Sequence, residues 1–173
     1  MITLVLGGAR SGKSVVAERL VSGLAPPVTY VATVDVGDDA DLAARVERHR
    51  ARRPAGWRTV EAGPGLAGVL RDLSGTVLVD SLGPWVAAGC ARGSEVVRGS
   101  VDAAALCAAL VERAGDAVVV SEEVGLSVHP STEVGRRFQD ALGAVNQAVA
   151  ACADDVLLVV AGRTLRLEAP GAP

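Results

Sequence analysis

Lys13 is the only lysine in a chain of 173 residues that carries 17 basic side chains; the rest are arginines. It lies in Gly7-Gly8-Ala9-Arg10-Ser11-Gly12-Lys13-Ser14, a full match to G-x-x-x-x-G-K-[ST]. Each position has a chemical reason. Glycines let backbone N–H groups converge on phosphate oxygens, and the helix that follows presents its positive end to them. In such loops the lysine reaches the β- and γ-phosphates and the hydroxyl, here Ser14, ligates Mg²⁺. Arg10 adds a second cation facing a triphosphate. The same chemistry needs an acid at the end of a nearby strand to hold Mg²⁺ through water. Asp80 follows Thr76-Val77-Leu78-Val79 and fills that place, so Ser14 and Asp80 are the expected metal residues. Glu122 and Glu123 are rival or additional acids. Asp80-Ser81-Leu82-Gly83 also reads as D-x-x-G, the switch signature of regulatory GTPases. Those proteins need N-K-x-D as well, and a chain whose one lysine is Lys13 lacks it.

A second constellation surrounds His49. Arg45, Arg48, Arg50, Arg52, Arg53 and Arg58 stand within fourteen positions of an otherwise acidic chain. On a helix, His49 follows Leu42 and Val46 at spacings that share one face. One account is structural: a basic helix end complements the helix dipole while the imidazole packs inward. The other is a polyphosphate site, where arginine forks grip phosphate oxygens. A cationic surround holds the imidazole neutral, and a neutral imidazole can attack phosphorus. His129, before Pro130, reads as peripheral.

These residues need elements to position them. Short apolar runs at 2–6, 28–32, 76–79, 117–120 and 156–160 predict buried strands, with further strands at 57–60 and 164–167. Helical patterns lie at 13–24, from 38 or 41 to 53, 63–73, 84–114 in two pieces broken near Gly93 or Gly99, and 132–153. Strands alternating with helices predict an α/β P-loop NTPase fold: a mainly parallel sheet with helices on both faces. The length suits one domain over residues 1–168, with a frayed tail at 169–173.

Composition narrows the function. A net charge of −3 argues against binding nucleic acid by bulk electrostatics. No apolar run approaches the roughly 18 residues needed to span a membrane. The opening Met1-Ile2-Thr3-Leu4 has no basic region and does not read as a signal peptide. Cys90, Cys107 and Cys152 form no C-x-x-C pair, so small buried hydrophobes in a reducing cytoplasm are the expectation. Aromatics supply 2% of residues, so the core must be aliphatic.

Beyond the phosphate loop, the runs Tyr30-Val31-Ala32-Thr33, Arg45 through Pro54 and Trp57-Arg58-Thr59-Val60-Glu61 carry a resemblance. So do Val120 through Leu126, Arg137-Phe138-Gln139-Asp140 with Val145-Asn146-Gln147, and Val159-Val160-Ala161-Gly162. Together they resemble the bifunctional adenosylcobinamide kinase / adenosylcobinamide-phosphate guanylyltransferase family of cobalamin biosynthesis, almost end to end. The resemblance implies phosphorylation of adenosylcobinamide by ATP or GTP. It then implies transfer of GMP from GTP to adenosylcobinamide phosphate through a guanylyl-histidine, with Mg²⁺. His49 matches the guanylylated histidine. The matching nucleotide contacts are Gly7, Gly8, Ala9, Arg10, Ser11, Gly12, Lys13, Ser14, Ala32, Thr33, Val34, Arg50, Ala51, Arg52, Arg53, Glu61 and Asp80. A homotrimer is implied as well. Two other readings stay open: a different small-molecule P-loop kinase in which His49 is structural, and a GTP-sensing binding module without turnover.

Overall fold

Ile2–Gly7 (β1) is buried at all six positions, as expected of a central strand covered on both faces. Its start is pinned on both sides: the terminal ammonium pairs with Asp116 and the Ile2 N–H donates to Asp154. The elements that follow are α1 (Lys13–Ser22), β2 (Val28–Ala32), β3 (Arg58–Glu61), a 3₁₀ turn at Gly63–Gly65, α2 (Leu66–Asp72) and β4 (Thr76–Asp80). Next come α3 (Leu82–Ala91), α4 (Ala103–Glu112), β5 (Ala117–Glu122), α5 (Glu133–Cys152), β6 (Asp155–Val160) and β7 (Arg163–Leu167). The computed structural model describes residues 1–34, 46–47, 50–51, 53–91, 101–169 and 171.

All strands join one sheet in the order β3-β2-β4-β5-β1-β6-β7. Every pairing is parallel except the terminal β6–β7 hairpin. Alternate residues face opposite layers, and the sheet separates two cores. Leu4, Leu6, Val31, Val77, Val79 and Val119 pack with helices α2 to α5. Val5, Tyr30, Leu78, Val118, Val120 and Val159 pack with Ala17 and Val21 of α1. The mainly parallel sheet with helices on both faces is thus what the chain forms.

Boundaries moved by a residue or two, for local reasons. The first helix ends at Ser22, where Gly23 closes it through N–H bonds to Leu20 and Val21. The third strand runs Arg58–Glu61 because its register is set by β2, and Trp57 packs against the core beside it. Pro64 turns the opening of the 63–73 helix into a 3₁₀ turn before Leu66. Thr132 caps α5 by accepting the Gly135 N–H. The expected helix start at 38 or 41 and the break near Gly93 or Gly99 lie outside the described residues.

Candidate active site at the phosphate loop

The sheet register brings the predicted residues to one edge. Ala32 stands beside Glu61 on one side and Asp80 on the other. Gly7 stands between Glu122 and Val159. Gly7 and the phosphate loop therefore open at the carboxyl ends of the parallel strands, where ligands of open α/β sheets bind.

Two glycines in the loop are dictated by space and conformation. A Cβ on Gly7 would meet the Ser11 hydroxyl and come within 2.9 Å of the Val159 carbonyl. Gly12 begins α1 at φ +93, a left-handed backbone that favours glycine. Beside it lies the β6–β7 turn, whose Gly162 N–H donates to the Ser11 carbonyl at 2.8 Å. Gly12 has no side chain to cap α1, the Ser11 hydroxyl accepts the Lys13 N–H at 3.4 Å, and no acid occupies the first turn. The positive end of the helix dipole is left for an anion. Ala9 and Arg10 are exposed at the loop tip, with Arg10 at φ +57.

Asp80 ends β4 within reach of the loop. The Ser14 hydroxyl donates to its Oδ1 at 3.3 Å, and the Tyr30 hydroxyl donates to its Oδ2 at 3.0 Å. Burial first, then the Asp80 charge, pushes the Tyr30 phenol well above its usual pKa range. The Arg53 guanidinium lies 3.3 Å from the Tyr30 ring centroid, and its Nη1 donates to Thr59 at 3.1 Å. Lys13 Nζ stands 3.6 Å from Glu122 Oε1. That carboxylate also accepts the Ser81 hydroxyl at 2.7 Å and the Gly83 N–H at 2.8 Å. It thereby ties the lysine to the start of α3. Glu123 turns the other way, accepting the Gly125 N–H in its own loop at 2.7 Å.

The remaining predicted contacts are distributed around this centre. Thr33 is buried and its hydroxyl donates to the Ser81 carbonyl, which leaves its backbone, with Ala32 and Val34, to line the edge. Glu61 and Ala51 are exposed, and Arg50 pairs with Glu47 at 3.6 Å. His129 is exposed on the loop before α5. His49, Arg45, Arg48 and Arg52 lie outside the described residues.

Three contributors lay in runs that carried the resemblance but had been given no role of their own. Tyr30 had one usable signal: it is the sole tyrosine, in an apolar strand, and a buried phenol needs a partner. Asn146 is buried on α5, accepting the Ser121 hydroxyl at 2.6 Å and donating to the Glu122 carbonyl at 3.1 Å. It holds the end of β5 in place. Gly162 acts through the turn described above.

Residues 3–167 match the family described as cobinamide kinase / cobinamide phosphate guanyltransferase. The bifunctional adenosylcobalamin biosynthesis protein CobP of Pseudomonas aeruginosa is 40% identical over 171 residues, covering 97% of this chain and 98% of the relative. CobU of Salmonella typhimurium is 38% identical, covering 97% of this chain and 100% of the relative. Among solved structures, a type III secretion system ATPase superimposes with a TM-score of 0.54 at 14% identity, covering 91% of this chain and 51% of that one. The chain spans about half the length of that structure, and the likeness shows the fold alone. The family match and the full-length relatives decide the rest: the chain belongs to the cobinamide kinase / cobinamide phosphate guanyltransferase family.

Proposed function

We propose that the protein is a bifunctional enzyme of cobalamin biosynthesis that phosphorylates adenosylcobinamide and then attaches GMP to the product. The observation that carries this is the meeting of Lys13, Ser14 and Asp80 on the phosphate-loop edge, in a chain of this family. In the first reaction the aminopropanol hydroxyl oxygen attacks the γ-phosphorus of ATP or GTP. The bond to the β-phosphate oxygen breaks, the hydroxyl proton leaves and a nucleoside diphosphate departs. Lys13 and the N-terminal amides of α1 hold the phosphates and offset the charge that develops on them.

In the second reaction a His49 ring nitrogen attacks the α-phosphorus of GTP and pyrophosphate leaves. A phosphate oxygen of adenosylcobinamide phosphate then attacks the same phosphorus. The histidine is freed and adenosylcobinamide-GDP forms. Arg50, Arg52 and Arg53 are suited to the triphosphate by their forked geometry, and Glu61 to a hydroxyl or base edge.

The donor set fits Mg²⁺: a hydroxyl and a carboxylate brought to 3.3 Å, both hard oxygen ligands. Ser14 and Asp80 would hold it, and when bound it supplies neutralisation of phosphate charge. A homotrimer working in the cytoplasm belongs to the same proposal. No described helix is long and apolar enough to cross a membrane, and Cys90, Cys107 and Cys152 are free thiols. Light scattering reads the assembly.

The test uses GTP labelled with radioactive phosphorus. Wild-type protein should take label from the α position and none from the γ position. The bond should resist alkali and break in acid, as a phosphoramidate does. His49→Ala should lose label and GMP transfer while keeping most of the phosphorylation of adenosylcobinamide. Full acid-labile labelling of that variant would assign the nucleophile to His129, the chain's other imidazole.

A further inference from the structure

Asp80 has two carboxylate oxygens, and each is claimed from a different element. Ser14 of α1 reaches Oδ1 at 3.3 Å and Tyr30 of β2 reaches Oδ2 at 3.0 Å. Two donors on opposite oxygens fix the plane of the carboxylate as well as its position. The Tyr30 ring is itself immobilised. It is 3% exposed and packs in the α1-side core, with Arg53 stacked on it. Arg53 is in turn anchored to Thr59 on β3. An unbroken chain of contacts thus runs from the arginine-bearing segment, through one aromatic ring, to the acid beside the phosphate loop.

We propose that Tyr30 is a positioning residue for Asp80, and that Arg53, by stacking on the ring, couples the arginine-bearing segment to the metal end of the phosphate site. The proposal rests on the reading of Asp80 as the acid that holds Mg²⁺. Tyr30 touches neither nucleotide nor metal in this scheme; it acts through the orientation of Asp80. When Arg53 is drawn toward a phosphate, the ring loses its cover and the carboxylate loses part of its hold. Occupancy of the arginines and strength of metal binding are therefore linked.

Mn²⁺ serves as the probe, its free concentration read by electron paramagnetic resonance without nucleotide, so that the contacts of Tyr30 and Arg53 are those described above. Wild type, Tyr30→Phe, Asp80→Asn and the double variant form a cycle. Loss of one hydrogen bond to a charged group should weaken Mn²⁺ binding about tenfold in Tyr30→Phe. In the Asp80→Asn background the same substitution should change it less than twofold. Arg53→Ala should weaken binding about threefold, and only where Tyr30 is present.

An unchanged Mn²⁺ affinity in Tyr30→Phe overturns the proposal. So does an equal loss in both backgrounds, which would make Tyr30 merely structural. Asp80→Asn binding Mn²⁺ like wild type would instead overturn the metal reading beneath it. A second measurement needs no Tyr30 variant. Tyr30 is the only tyrosine, so tyrosine labelled with ¹³C at the hydroxyl-bearing Cζ alone gives a single ring-carbon resonance. That signal should move on Asp80→Asn and on addition of Mg²⁺; a signal indifferent to both refutes the link.

Discussion

Glu122→Gln should tighten triphosphate binding. Lys13 is engaged by Glu122 at 3.6 Å, with side chains only 13% and 27% exposed. Two unit charges at that separation attract by on the order of 5 kcal/mol at an effective dielectric of about 20. Desolvation and residual water cancel most of this, leaving about 1 kcal/mol net. A triphosphate must displace that contact before it gains the lysine, and it must also approach the Glu122 charge. Glutamine removes both costs with little change of volume. Its amide oxygen still accepts the Gly83 N–H and its amide nitrogen can donate to Ser81, so the start of α3 stays tied. The expected gain of about 1 kcal/mol is about a fivefold lower Kd. Calorimetric titration with a non-hydrolysable GTP analogue in Mg²⁺-free buffer reads it directly. A Kd within twofold of wild type, or a weaker one, would refute the view that Glu122 and the triphosphate compete for Lys13.

Lys13→Ala should reduce both proposed activities by more than about a thousandfold, since each gathers negative charge that this cation offsets; kinase turnover within tenfold of wild type contradicts it. Gly7→Ala drives a methyl to 2.9 Å from the Val159 carbonyl and into Ser11. Overpacking of that kind costs about 1–3 kcal/mol, or roughly 4–8 °C in Tm for a mid-range loss in a chain of this length. Thermal unfolding that matches wild type rules out the clash. Asn146→Leu strands the buried Ser121 hydroxyl and the Glu122 carbonyl, for about 2–4 kcal/mol by urea denaturation; a midpoint equal to wild type would show that these groups find other partners.

What could be read in advance was local. The phosphate loop is a continuous run of eight residues between one strand and one helix, so the motif, its strand and its helix were readable together. The alternation of apolar runs with amphipathic stretches carried the α/β class for the same reason. Asp80 was legible because it ends an apolar strand. Its link to Tyr30 was not, because the two lie in different strands and meet only once β2 pairs with β4. The division of labour between Glu122 and Glu123 was equally hidden. Glu122 ends β5 while Glu123 begins the loop and folds onto the Gly125 N–H, and only the position of Lys13 decides which of the two matters. The helix expected to carry His49 lies largely outside the described residues, although Val46, Glu47, Arg50 and Ala51 within it are helical.

The position of β1 has a consequence for synthesis. The strand that leads into the phosphate loop is made well before its two neighbours, β5 and β6, whose residues run from 117 to 160. A ribosome adding about 5–20 residues per second leaves that apolar strand without partners for on the order of ten seconds. The loop also waits for Gly162, whose N–H closes on Ser11 from the last hairpin. Nucleotide binding therefore waits until β6 and the turn after it have been made, and a nascent chain arrested before residue 155 should pellet or recruit a chaperone without retaining GTP.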